Sequence, residues 1–457
     1  MRPMLRPYQQ DLVARLRARY VEGRRCVLAV MATGGGKTIV GAEVIAGAVE
    51  KGRRVLVLAH RVELIDQMSG KLDLFGIRHG VIKSGHPRID AAALVQVASV
   101  ATLARRLDRQ DTDPAWRGSR GAAAQFLPDL ILVDEAHHTS AGSYLAILSA
   151  YPGARVLGLT ATPYRLDGKG LGDSYQVIEA GPSIVELVRD GYLVRTRILA
   201  PPSPDELARL KIRAGEYSMD AAAKLLDAAA PMDEIVETWQ RHAADRLTVA
   251  FTCTTAHAQH LAARFQAAGV SAAAIDGDTD TATRDATLVR LARGEIRVLC
   301  NCMLLTEGWD LPACASVILA RPTQSRALWR QMIGRGMRAC EGKTDCLVLD
   351  HVGAVHRFGL PEAAEQYSLQ SERQAAPPAQ QLRQCLSCWA IIEDEAATAC
   401  HACGVVLPLP KPKAAAQPRD ITQSYRERLE LRDAKPMTKD DLKRVYWALL
   451  DKARGKG

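Results

Sequence analysis

Short runs of Val, Leu and Ile recur along this chain between longer segments whose apolar positions fall at helical spacing. In the first part the runs are Cys26–Val30, Val55–Ala59, Leu130–Val133 and Val156–Leu159. Continuous apolar runs lack the alternation of a half-exposed strand, so they predict strands buried on both faces of a parallel sheet. After a helical, Pro-marked stretch near residues 200–245 the pattern returns at Thr248–Phe251, Ile296–Cys300, Ser316–Ala320 and Cys346–Asp350. Two α/β lobes follow, expected over residues 1–200 and, with the helical lead-in, over 201–371.

Past the lobes the pattern breaks. Residues 372–384, with Ala375-Ala376-Pro377-Pro378 and several Gln, read as a linker, as does the Pro-Lys-Pro-Lys stretch within 407–418. A cysteine cluster lies between them at 385–403, and a tail runs over 404–457. In the tail Thr438 precedes Asp441 by three residues, a capping-box pattern. Leu442, Val445, Tyr446, Leu449 and Leu450 then fall at the spacing of a terminal amphipathic helix.

Composition narrows the class. A hydrophobic fraction of 47% with 24% charged residues excludes a largely disordered or fibrous chain. No segment approaches the roughly 18 apolar residues needed to span a bilayer, and Met1–Gln10 lacks the apolar core of a signal peptide. No membrane partner and a cytoplasmic location are therefore expected. The net charge of +9 suits a phosphate-rich partner, and the tail, with 13 basic and 7 acidic side chains, is its most biased part. Seven of the eleven cysteines are scattered through apolar stretches, which fits small core residues in a reducing compartment.

Candidate chemistry begins where Cys26–Val30 runs into Met31-Ala32-Thr33-Gly34-Gly35-Gly36-Lys37-Thr38 and then a helical pattern. Glycines let backbone N–H groups close around phosphate oxygens. Lys37 would neutralise the β- and γ-phosphates of ATP, and Thr38 would offer a hydroxyl to Mg²⁺. Met31 stands where the general P-loop pattern has its first Gly. The run Leu130–Val133 ends in Asp134-Glu135-Ala136-His137-His138, delivering two adjacent carboxylates to a strand end. Asp134 would organise Mg²⁺ and Glu135 would act as the general base. In the second lobe Gln331-Met332-Ile333-Gly334-Arg335-Gly336-Met337-Arg338 supplies two guanidinium groups, Arg335 and Arg338. These could stabilise transferred phosphoryl charge only when the lobes close.

Near the C-terminus Cys385-Leu-Ser-Cys388 and Cys400-His-Ala-Cys403 are separated by eleven residues. Two C-x-x-C pairs in a short segment with little apolar sequence place Cys385, Cys388, Cys400 and Cys403 for tetrahedral Zn²⁺. His401 reads as a bystander.

Taken together, residues 5–350 resemble the motif series of a superfamily 2 DEAD/DEAH-type helicase. The resemblance implies two RecA-like P-loop NTPase lobes, here followed by a C-terminal zinc ribbon. Leu5-Arg6-Pro7-Tyr8-Gln9 resembles the adenine-recognition element, implying that Arg6 and Gln9 contact the base. Leu58-Ala59-His60-Arg61 resembles the first strand-binding motif, and Thr160-Ala161-Thr162-Pro163 the motif coupling ATP state to the track. Thr306-Glu307-Gly308-Trp309-Asp310 resembles the motif touching both nucleotide and nucleic acid, which implies nucleotide contacts from Gly308 and Asp310. The family's backbone grip implies phosphate contacts from Arg61, Thr102 and Thr306. Gln331 joins the arginines in the family's hydrolysis motif.

A narrower similarity is to the RadD-like bacterial DNA repair helicases, within the XPB and type III restriction ATPase group. It rests on Gly158–Leu166, Arg321-Pro322-Thr323-Gln324-Ser325 and Gly342–Asp350, with the ribbon following. What this implies is a nucleic-acid-stimulated ATPase that remodels single-stranded or branched DNA in repair, recombination or replication restart. An ATP-gated clamp or scaffold, the motor of a restriction system, and an RNA helicase stay open as readings. Protein partners are not legible.

Overall fold

The computed structural model describes residues 2–108, 126–139, 141–165, 169–202, 204–213, 215–305, 309, 311–363, 367–370, 382–394 and 396–408. The expected tail helix and the 372–381 part of the linker lie outside these residues, as do Thr306, Gly308 and Asp310.

The first lobe is built on seven parallel strands: β1 Cys26–Val30, β2 Val55–Ala59, β3 His79–Ile82, β4 Val95–Ser99, β5 Leu130–Asp134, β6 Arg155–Thr160 and β7 Val177–Ala180. They run in the order β3-β4-β2-β5-β6-β1-β7. All five residues of β2 and β5 are buried, as their unbroken apolar sequence requires when helices cover both faces. Helix α1, Pro7–Val21, starts with Pro at its first position, where the missing N–H is no loss. It turns Leu12, Val13, Leu16 and Tyr20 into the core, and the Tyr20 hydroxyl donates to the Val156 carbonyl at 2.9 Å.

The second sheet has β8 Arg195–Leu199, β11 Thr248–Thr252, β12 Ala272–Ile275, β13 Val298–Asn301, β14 Ser316–Ala320 and β15 Asp345–Asp350, all parallel, in the order β12-β13-β11-β14-β15-β8. The short hairpin of β9 Ile212–Arg213 and β10 Glu216–Tyr217 precedes it in the chain after β8. Strand β8, at the end of the stretch expected to form the first lobe, pairs with β15 of the second sheet. The alternation Arg-Thr-Arg-Ile-Leu fits an edge strand with one wet face, which the apolar-run criterion passes over.

The ribbon is joined to this sheet. Strands β16 Arg383–Gln384 and β17 Ile391–Ile392 form an antiparallel pair, and Ala390 bridges Leu199 of β8. The Ala200 N–H donates to the Trp389 carbonyl at 3.0 Å, and Ile391 is buried in the second lobe's core. The cysteine segment thus has an apolar anchor in the lobe, which its sequence alone did not disclose. The described residues 396–398 and 406–408 fall in a second unit, apart from the lobes. Its described part contains the bond from the Leu407 N–H to the Thr398 carbonyl at 2.8 Å. Among the described residues no helix is long and apolar enough to cross a membrane.

Candidate nucleotide site and cysteine cluster

Ligands of open parallel sheets gather outside the carboxyl ends of the strands. In the first lobe β6 lies between β1 and β5, so the P-loop leaving β1 and the carboxylates leaving β5 sit two strand spacings apart, about 10 Å. That separation leaves room for a phosphate and a cation between them. Gly34 and Gly36 have φ of +84° and +86°, values that only glycine adopts without penalty. Gly36 precedes α2, Lys37–Val49, whose N-terminal amides point toward the strand ends.

Absence of a side chain is also needed for space. A Cβ on Gly36 would lie 2.4 Å from Nε2 of Gln9, and one on Gly34 would lie 2.9 Å from Leu193 and 3.3 Å from Arg338. From the other lobe, a Cβ on Gly334 would lie 2.6 Å from that of Thr33. The P-loop and the arginine segment therefore meet through glycine on both sides.

Lys37 Nζ lies 3.9 Å from Oε1 of Glu135, both side chains being largely buried. Glu135 has φ of +49°, an uncommon conformation for a residue with a Cβ and one that clusters at functional turns. The turn sends its carboxylate toward Lys37 on one side and His137 Nδ1, at 3.4 Å, on the other. The Glu135 N–H donates to Oδ1 of Asp134 at 3.0 Å, fixing one carboxylate against the backbone of the next.

One cavity of about 330 Å³ collects these groups. Lys37, Thr38, Asp134 and Glu135 line it from the first lobe, and Gln331, Arg335 and Arg338 from the second. Arg335 and Arg338 each donate through Nη1 to the Trp309 carbonyl, at 2.7 and 3.0 Å. Three buried polar atoms on the walls, Thr33 Oγ1, Glu135 Oε2 and Gln331 Nε2, have no hydrogen-bond partner among the described residues. Buried groups left this way point to a polar ligand. The Asp134 carboxylate and the Thr38 hydroxyl, both on the cavity wall, are oxygen donors of the kind Mg²⁺ takes, usually with waters and substrate phosphates completing the set.

Arg6 and Gln9 also line the cavity. The Arg6 N–H donates to Gln9 Oε1 at 3.0 Å, and Gln9 Nε2 donates to the Gly35 carbonyl at 3.3 Å. Gly35 itself is not on the wall, but its carbonyl also accepts from the Tyr8 hydroxyl at 2.9 Å. Burial raises the Tyr8 phenol's pKa, with neighbouring Arg6 opposing. Sequence reasoning missed Tyr192, which lines the same cavity, carries the Arg6 guanidinium 4.4 Å over its ring and packs edge-on against Tyr8. Its only sequence signal was an aromatic in the segment joining the lobes.

The described candidate track contacts, Arg61 and Thr102, do not line this cavity. Arg61 donates to the carbonyl of Met303 at 3.3 Å, linking the lobes just before the Thr306 motif, and Thr102 is half-buried on the helix Val100–Asp108.

At the ribbon, Cys385 and Cys403 sulfurs lie 3.6 Å apart, as do those of Cys388 and Cys400, and all four fall within 4.8 Å of one another. A tetrahedron with Zn–S bonds of about 2.3 Å has edges near 3.8 Å, so the four thiols fit zinc. Of the scattered cysteines, Cys253, Cys300, Cys314 and Cys346 are buried.

A P-loop and paired carboxylates on one parallel sheet, faced by arginines from a second, define a two-lobed P-loop NTPase fold. The family model of the res subunit of type III restriction enzymes matches residues 2–165, and that of the helicase conserved C-terminal domain matches residues 230–340. The chain belongs to the superfamily 2 helicases, in the group that includes the restriction ATPases. A Saccharomyces cerevisiae protein assigned as the ATP-dependent helicase IRC3 is 31% identical over 77% of this chain and 52% of its own length. A fragment assigned as the HsdR subunit of a type I restriction enzyme from Vibrio vulnificus YJ016 shares the fold, with TM-score 0.59 and 22% identity over 80% of this chain and 67% of that one. The type ISP restriction-modification enzyme LlaBIII, ATP-dependent and bound to DNA in its structure, aligns with TM-score 0.56 and 19% identity over 76% of this chain and 28% of that one. The chain spans 52% to 66% of the length of three curated relatives that it matches.

Proposed function

We propose that this protein is an ATP-dependent DNA motor whose two lobes close on nucleotide and track together. The observation that carries this reading is the convergence of Lys37 and Glu135 with Arg335 and Arg338, from opposite lobes, on one cavity. Lys37 neutralises the β- and γ-phosphates. Thr38 and Asp134 hold Mg²⁺, which draws charge from the phosphoryl oxygens when bound. Glu135 accepts a proton from the attacking water, and Arg335 and Arg338 meet the charge that develops on the γ-phosphoryl group, with Gln331 beside them. Arg6 and Gln9 take the adenine. Arg61, Thr102 and Thr306 grip backbone phosphates, and Gly308 and Asp310 link that grip to the nucleotide.

Restriction-type relatives favour DNA as the track, and backbone contacts favour sequence-independent binding. We assign the motor to repair, recombination or replication restart. Strand displacement on a forked DNA, measured beside ATP hydrolysis, tests the motor reading. Displacement that needs ATP is expected, whereas hydrolysis with no displacement or translocation would favour an ATP-gated clamp. A second reading, the motor of a restriction system, is favoured by the restriction-subunit likeness. It requires stimulation by duplex DNA to depend on the methylation of a particular sequence.

We further propose that Cys385, Cys388, Cys400 and Cys403 hold a structural Zn²⁺. Such an ion contributes on the order of 10 kcal/mol to organising a small segment. Cys388→Ser should therefore release the metal and melt the ribbon. Because Ala390 and Ile391 anchor it to β8, a fall in the second lobe's thermal stability should accompany the loss, while nucleotide binding on the first lobe persists. Zinc content, melting temperature and ATP-analogue affinity check this. A native chain purified without chelators and free of zinc would sink the metal assignment.

A further inference from the structure

Gly342-Lys343-Thr344 lies between the arginine pair and β15 and has no part in the chemistry above. Lys343 Nζ donates three hydrogen bonds, to the carbonyls of Cys314 at 2.6 Å, Arg338 at 2.7 Å and Pro312 at 2.9 Å. An ammonium has three N–H donors, so this set is complete. Burial holds its pKa below the ordinary lysine value, with the thiols of Cys346, Cys314 and Cys340 opposing. A half-buried charge with only carbonyls for partners persists where those carbonyls are held in convergence.

The acceptors belong to two segments that meet at the nucleotide cavity. One is Pro312–Cys314, closely following Trp309, whose carbonyl receives both Arg335 and Arg338. The other is the backbone of Arg338 itself. Pro312 and Arg338 both line the cavity. The Trp309 carbonyl thus gathers the two guanidinium groups, while Lys343 ties the backbone segments that carry donor and acceptor. We propose that Lys343 is a positioning residue for the Arg335 and Arg338 pair, stapling the segment after Trp309 to the backbone of Arg338 so that both guanidinium groups are presented in one register. This rests on reading the cleft as an ATPase site. Lysine suits the task because its three donors radiate from one atom, whereas the planar fork of arginine cannot address three carbonyls around a point.

The test is a double-mutant cycle in the full chain: Lys343→Met, Arg338→Ala and both together. It measures turnover at saturating single-stranded DNA, affinity for a non-hydrolysable ATP analogue, and thermal melting. Lys343→Met should bind the analogue within about threefold of the native chain while kcat falls about tenfold or more. In the Arg338→Ala background the same substitution should lower kcat by a smaller factor than in the native chain, because the part of its effect that passes through Arg338 is gone and only the part through Arg335 remains. A role confined to general stability would instead give equal fold losses in both backgrounds, and that result, or native kcat in Lys343→Met, overturns the inference. Native turnover in Arg338→Ala would overturn the reading of the cleft and this inference with it. Should Lys343→Met not melt cooperatively, Lys343→Gln takes its place in the cycle. Failure of both to fold would make Lys343 a stability residue and overturn the proposal.

Discussion

Glu135→Gln should bind ATP about as tightly as the native chain and hydrolyse it about 10²- to 10⁴-fold more slowly, the usual span for losing a positioned general base. The amide keeps the size of the carboxylate, and the turn at Glu135 is set by backbone geometry that Gln tolerates equally. What disappears is the proposed proton acceptor. Lys37→Ala provides the contrast: it removes the charge facing the phosphates, so binding and turnover should both fail. Equilibrium binding of a fluorescent nucleotide and single-turnover phosphate release separate the two effects. Native turnover in Glu135→Gln, with contaminating ATPases excluded, would remove Glu135 from the chemistry.

Arg335→Ala should lower nucleic-acid-stimulated turnover by about 10³-fold or more, the scale on which a guanidinium supplied to a phosphoryl group acts. Nucleotide affinity should change far less, because the P-loop, Lys37 and the proposed adenine contacts Arg6 and Gln9 belong to the first lobe. Arg335 is buried and tied through Nη1 to the Trp309 carbonyl, so its orientation derives from a backbone atom outside its own helix, Arg326–Gly334. Collapse of analogue binding with normal turnover per bound nucleotide would refute this assignment.

The strands with unbroken apolar sequence were legible from it. Cys26–Val30, Val55–Ala59 and Ser316–Ala320 are strands over those same residues, since burial on both faces writes itself into every position. Strands carrying buried polar groups were not. The ring of His79 is buried against Ser69 Oγ and the Ile77 carbonyl, and Gln96 of β4 donates to the Asp90 and Ala93 carbonyls. Those polar residues interrupt the run although their partners make them core residues. The alanines of β12 read equally well as helix.

At the site, residues grouped along the chain were legible because glycines, a lysine and adjacent carboxylates are needed within a few positions of one another. The parts assembled across the fold were not. Tyr192 meets Arg6 only after the interlobe segment returns to the cavity, and the Trp309 carbonyl is a backbone group that no residue type announces. The joining of the ribbon to β8 was hidden for the same reason, as Ala390 and Ile391 are too few to signal a core by themselves.

Hydrolysis is proposed to occur in a cleft whose closure depends on nucleic acid. Steady-state phosphate release by the purified chain, with saturating single-stranded, forked and duplex DNA, the matching RNAs, or none, tests it most directly. Turnover is expected to be slow without nucleic acid and to rise at least about tenfold with single-stranded or forked DNA, more than with RNA. Equal turnover with and without every nucleic acid, in a chain whose Lys37→Ala variant is dead, would contradict the account.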